Sequence, residues 1–248
     1  MSSIAHSRPV ALITGAARRI GAEIARRLHG AGYDLVLHYR RSRAEVDALT
    51  ATLERERAAS TLTLEADFDD VARIAPLVAA AIAHYGRIDA LVNNASAFEP
   101  TPIADATPAQ WDALLNANAR APFFLAQAAA PHLAERRGAI VNLVDIYAEQ
   151  PLPDHPIYSM SKAALTAMTK ALARDLAPDV RVNGVAPGAI LWPDAGKSAA
   201  DQQRIVDRTP LKRMGRPEDV ADAVLWLLRA PFVTGEIVRV DGGRHLAL

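Results

Sequence analysis

The chain has 248 residues, no cysteine, and 28 basic residues against 28 acidic ones. That length lets a fold bury roughly 70 per cent of its unfolded surface, the missing Cys excludes disulfides, thiolate metal sites and cysteine nucleophiles, and the balanced charge offers no global field for nucleic acid or an anionic membrane. No run approaches the ~18 apolar residues of a membrane span and the first residues lack a signal-peptide core, so a cytoplasmic protein with neither nucleic-acid nor membrane partners is expected.

Residues 9–14 form an apolar run ending at Gly15, and beyond Gly21 the spacing of Ile24, Ala25 and Leu28 predicts a helix closing at Gly30. A second strand is predicted at 35–39, an amphipathic helix at 44–57, a third strand at 61–66, a helix at about 71–85 and a fourth strand at 88–93. Thr107 followed by Pro108 reads as an N-cap with proline at the first helical position, opening a helical stretch towards residue 135. Pro122 and Pro131 are expected to kink or end it. A fifth strand follows at 139–144, a helix carrying Tyr158 and Lys162 runs to about 176, and a sixth strand covers 180–186. Pro187 and Gly188 open an irregular segment to about residue 200, in a region of about 187–208 expected to serve as a substrate loop. A helix at 217–229 and a strand at 236–240 complete the chain. Alternating strands and helices imply parallel strands joined by right-handed crossovers. With no internal linker or repeat, the expectation is one α/β domain over 1–248, a doubly wound seven-stranded parallel sheet.

Gly15 and Gly21 bracket a strand-to-helix turn whose free backbone N–H groups suit a pyrophosphate, although the strict G-x-G-x-x-G pattern is absent. After the second strand, where folds that bind the non-phosphorylated dinucleotide keep a carboxylate, the chain reads H-Y-R-R-S at 38–42. Guanidiniums grip a 2′-phosphate with charge-assisted, often bidentate bonds, so NADPH is expected over NADH. Tyr158 and Lys162, four apart, share one helix face. A lysine cation there is expected to lower the tyrosine pKa and make Tyr158 a proton donor.

Together T-G-A-A-R-R-I-G at 14–21, Asp67, N-N-A-S at 93–96, Asn118, Y-S-M-S-K at 158–162 and Pro187-Gly188 resemble the short-chain dehydrogenase/reductase family along essentially the whole chain. The resemblance implies a Rossmann-type fold, a nicotinamide cofactor and a homotetramer built through the long helices that contain Asn118 and Tyr158. It implies cofactor contacts from Gly15, Arg18, Arg19, Ile20, Gly21, Tyr39, Arg40, Arg41, Ser42, Asp67, Phe68, Asn94, Ala95, Ser96, Tyr158, Lys162, Pro187 and Gly188. Asp67 would meet the adenine, Lys162 would bind the nicotinamide ribose, and Asn118 would help hold a proton-relay water.

Family members ordinarily carry a Ser thirteen residues before the Tyr, and this chain has Asp145. An ionised carboxylate only accepts hydrogen bonds and repels a carbonyl oxygen gaining negative charge, so a simple ketone fits poorly and a nitrogen heterocycle with N–H donors fits better. With R-R-I-G, H-Y-R-R-S, N-N-A-S-A-F-E-P-T-P at 93–102 and V-D-I-Y-A-E-Q-P-L at 144–152, Asp145 resembles the pteridine reductase subgroup. That implies Asp145, Tyr158, Lys162 and Asn118 as the catalytic set, a pterin or folate substrate near Arg19 and Ser96, and Phe98 stacked on its ring. Leu191, Trp192 and Pro193 fall where a substrate loop would wall the pocket, while the tail H-L-A-L lacks the arginine expected of eukaryotic relatives. A carbonyl reductase of the same family and a catalytically idle NADPH-binding protein are the alternatives. The pterin reading requires the Asp145 carboxylate to reach the Tyr158 phenol.

Overall fold

A computed structural model describes residues 7–192 and 198–247. Seven parallel strands, β1 (Val10–Ile13), β2 (Asp34–Tyr39), β3 (Thr61–Glu65), β4 (Ala90–Asn93), β5 (Ala139–Leu143), β6 (Arg181–Pro187) and β7 (Ile237–Val240), lie in the order β3-β2-β1-β4-β5-β6-β7. The order reverses between β1 and β4, and a doubly wound sheet opens its ligand crevice at the carboxyl ends of the strands flanking such a point. Gly15, Asn94 and Asp145 all follow the carboxyl ends of their strands.

Successive strand side chains point to opposite faces, which is why apolar runs such as Val10–Ile13 are buried at every position. Ala11, Ile13, Leu35 and Leu37 face α1 (Arg19–Gly30), α2 (Arg43–Glu56) and α8 (Pro217–Arg229). Val10, Leu12, Val36 and Leu91 face α3 (Ile74–Tyr85) and α5 (Ala121–Ala134). Among the described residues no helix is long and apolar enough to cross a membrane.

The two prolines do not end the helical stretch. Thr107 caps α4 (Pro108–Leu115) in a capping box with Gln110, a π-helical turn spans Asn116–Arg120, and α5 continues to Ala134 through Pro131. Pro122 closely follows the π turn, and Pro131 is exposed, so water can satisfy the carbonyl it leaves unpaired. The irregularity in this stretch is the π turn, and it contains Asn118. The irregular segment ends about where expected: Ser198 caps α7 (Ala199–Arg208), accepting from the Asp201 N–H, so the last ten residues of the 187–208 region are helical. Pro193 lies outside the described residues.

Candidate active site

At the carboxyl ends of β1, β2, β3 and β4 the fold opens a cavity of about 600 Å³. Every residue assigned to the cofactor between Gly15 and Ser96 lines it, and so do Ala17, His38 and Ala97, which lie inside the quoted motifs without an assigned role, and Ala66, Asp69 and Ala117, which lie outside them. Tyr158, Lys162, Pro187 and Gly188 do not line it.

The glycine turn is shaped for close backbone approach. Gly15 has φ +61°, and a Cβ on Gly21 would strike the Gly15 carbonyl oxygen, so neither position accepts a side chain without displacing backbone. Asn94 Nδ2 donates to the carbonyls of Thr14 at 2.9 Å and Gly15 at 3.0 Å, while Thr14 Oγ1 accepts from the N–H groups of Asn94 and Ala95. The α1 N-terminus has no side-chain cap and no acidic residue in its first turn, and Arg18 and Arg19 stand beside it. Free N–H groups, the positive end of the helix dipole and two cations create a demand for an anion, which a dinucleotide pyrophosphate meets. Arg19 takes φ +54°, a left-handed conformation costly for a side-chain-bearing residue. Its guanidinium donates to the Trp192 carbonyl at 3.1 Å, joining the turn to the segment after β6.

The two arginines after β2 are not equivalent. Arg40 lies 3.8 Å from Asp67 and 3.7 Å from Asp69. Arg41 is exposed and has no ion-pair partner among the described residues. Ser42 heads α2 without capping it, so a second helix start faces the cavity with free N–H groups.

Tyr158, Lys162 and Asp145 converge beside this cleft. The Tyr158 phenol donates to Asp145 Oδ2 at 2.7 Å, and Asp145 Oδ1 accepts the Tyr147 N–H at 2.9 Å, capping a short 3-10 turn. Each carboxylate oxygen keeps a lone pair for a further donor. Lys162, buried on α6 (Pro156–Asp175), donates to the Leu143 carbonyl at 2.8 Å, and its Nζ stands 5.9 Å from the centre of the Tyr158 ring. Burial lowers the Lys162 ammonium to about 8, with Asp145 working the other way. Burial also raises the Asp145 carboxyl above its ordinary value, against the Tyr147 and Tyr158 hydrogen bonds and the Lys162 charge.

The expectation that Lys162 lowers the Tyr158 pKa is overturned. Burial and then the Asp145 charge push the phenol well above the ordinary tyrosine value. The nearest charge to the hydroxyl is a carboxylate, so the phenol is held protonated. The Asn118 side chain is fully engaged within the protein. Its Oδ1 accepts from Ser96 Oγ and the Ala97 N–H, and its Nδ2 donates to the Ala97 carbonyl and Ser161 Oγ, all at 2.8 or 2.9 Å. The amide is saturated. It ties the cleft wall at Ser96 and Ala97 to α6 next to Lys162.

Phe98 is 48 per cent exposed, so it is not part of the core. It stacks on His155 at 4.8 Å and meets the Tyr158 ring edge-on at 4.7 Å. Leu191 is exposed and Trp192 half-buried, both reached by Arg19. Gly188 follows β6, donating to the Val240 carbonyl, and a Cβ there would strike Asp241.

A family model described as enoyl-(acyl carrier protein) reductase matches residues 15–245. The chain is 39% identical to pteridine reductase 1 of Leishmania tarentolae over 280 aligned residues, covering 96% of each chain. It is 40% identical over 253 residues to a ketoacyl reductase of the granaticin polyketide synthase from Streptomyces violaceoruber, covering 99% of this chain and all of that one. It is 30% identical over 242 residues to a 3-oxoacyl-(acyl-carrier-protein) reductase of Staphylococcus aureus, covering 95% of this chain and 98% of that one.

Proposed function

Since the chain belongs to the short-chain dehydrogenase/reductase family of nicotinamide-dependent oxidoreductases, we propose that it is an NADPH-dependent pteridine reductase, converting a dihydropterin or dihydrofolate C=N bond to the tetrahydro form. The observation that carries this reading is the 2.7 Å hydrogen bond from the Tyr158 phenol to Asp145 Oδ2. A carboxylate at this point accepts N–H groups of a nitrogen heterocycle and disfavours a developing alkoxide, the opposite of what a carbonyl reductase requires. Oxidised pterin carries the same donors and is a further candidate substrate.

Arg18, Arg19 and the start of α1 would hold the pyrophosphate, Arg41 and Ser42 the 2′-phosphate, and Asp67 and Phe68 the adenine end. The nicotinamide, when bound, supplies a hydride to the carbon of the C=N bond. Tyr158 holds a proton on its phenol oxygen and releases it towards the ring nitrogen, with Asp145 orienting the phenol and accepting from the substrate. Lys162, anchored by its hydrogen bond to the Leu143 carbonyl, would bind the nicotinamide ribose. Phe98, with nearly half its surface exposed, offers an apolar ring for the flat substrate, and Leu191 and Trp192 wall the far side. Asn118 acts by positioning Ser96, Ala97 and α6. The proposal extends to a homotetramer through the helical faces carrying Trp111, Phe123 and Met160, each more than two-fifths exposed.

Carbonyl reduction is the competing reading, favoured by the equal similarity to a ketoacyl reductase. Purified protein and NADPH mixed separately with dihydrobiopterin, dihydrofolate and a 3-oxoacyl thioester, followed by loss of the reduced cofactor, decides between them. Turnover of the pterins is expected, and turnover of the thioester alone would defeat the proposal.

A further inference from the structure

His38 is a polar ring at a position of β2 where a hydrocarbon would fill the volume at no desolvation cost: it is 2 per cent exposed, two positions before Arg40. Both ring nitrogens are used. The Gly15 N–H can only donate, so Nδ1 accepts from it at 3.2 Å, and the Ala66 carbonyl can only accept, so Nε2 carries the proton and donates to it at 3.0 Å. The ring also lies flat on Phe68, with centroids 4.1 Å apart and planes 15° from parallel. Gly15, His38, Ala66 and Phe68 all line the cofactor cavity. One ring thus touches the glycine turn at the end of β1 and the wall that follows β3. The backbone repeats the link, with the Ala16 N–H donating to the His38 carbonyl and the Ala66 N–H to that of Tyr39.

We propose that His38 is a positioning residue for the dinucleotide, a neutral imidazole strut that sets the separation between the turn receiving the pyrophosphate and the wall receiving the adenine. Gly15 spends its N–H on the strut, so the phosphate donors lie further along, at the start of α1. Burial keeps the imidazole uncharged near neutrality by lowering its pKa to about 4, and the neutral form is the one with an acceptor for Gly15. The inference rests on the nicotinamide-dinucleotide reading of the cavity and is independent of the pterin assignment.

The test compares a ligand spanning both subsites with one confined to the adenine side. NADPH and adenosine 2′-monophosphate, which lacks the pyrophosphate, are titrated into wild-type protein and into His38→Phe, which keeps the stacking area on Phe68 and removes both hydrogen bonds. The Kd and KM for NADPH should rise about tenfold, as expected for the loss of one to two hydrogen bonds. The monophosphate Kd and the kcat at saturating NADPH should hold within about twofold on the same grounds. His38→Asn, whose amide oxygen can stand in for Nδ1, should recover part of the NADPH affinity, and it carries the same comparison where His38→Phe does not fold. NADPH affinity unchanged in both variants, or both ligands and kcat weakened in proportion, would overturn the strut. Failure of wild-type protein to bind NADPH would overturn both the strut and the cofactor reading beneath it.

Discussion

Replacing Asp145 by Ser separates the two substrate classes most directly. The perturbation removes a charge-assisted bond of 2.7 Å to the Tyr158 phenol but keeps an oxygen able to cap the Tyr147 N–H, so the turn after β5 survives. A hydrogen bond of this type contributes about 1.5–3 kcal/mol. With ~1.4 kcal/mol per factor of ten, kcat/KM for dihydrobiopterin should fall roughly 10- to 150-fold. The Ser hydroxyl can donate to a carbonyl oxygen where Asp145 repels it, so kcat/KM for a 3-oxoacyl thioester should rise at the same time. The assay is steady-state kinetics with both substrates at saturating NADPH, with the NADPH Kd of the variant measured as a control. A pterin kcat/KM within about twofold of wild type, with NADPH binding intact, would refute the reasoning.

Arg41→Ala should raise the NADPH Kd by about one to two orders of magnitude while leaving NADH binding nearly unchanged, because a charge-assisted grip on the 2′-phosphate is lost; equal effects on the two cofactors in a fluorescence titration would rule out that grip. The same substitution at Arg40 should cost less, since that guanidinium already faces Asp67 and Asp69. Lys162 carries its charge below about 8 and loses it as the pH rises through that value, so kcat/KM for NADPH, which reports the free enzyme, should decline on an alkaline limb near pH 8. Asp145 raises the Lys162 pKa, so Asp145→Asn should move that limb to lower pH, and a limb that stays put would show that the titrating group is another one.

Two of the protein's chemical commitments were open in the linear chain because their spacing is local. Gly15 and Gly21 share one turn, and Tyr158 and Lys162 share one helix face, so the dinucleotide cleft and the phenol-ammonium pair could be placed before any coordinates existed. The strand and helix periods likewise specify a parallel sheet with both faces covered, since apolar runs such as 10–13 and 139–144 alternate with helical patterns. Pro131 does not end its helix: a rule about helix interiors does not know which carbonyl water can reach, and Pro131 is exposed. Ala199–Arg208 is a helix whose ten residues bury no side chain fully, and Ile205 and Val206 are its only large apolar residues, which makes its pattern short.

What only the tertiary structure decided were contacts between residues distant in the chain. His38 meets Gly15 and Ala66 across 23 and 28 positions, and Asn118 is saturated by groups on the cleft wall and on α6. The sign of the Tyr158 perturbation belongs here too. The helix spacing brings a lysine near the phenol, but burial and a carboxylate delivered by another strand determine the proton's affinity for it. Electrostatic environment depends on everything within a few ångströms and on how much water is excluded, and neither quantity exists until the chain has folded.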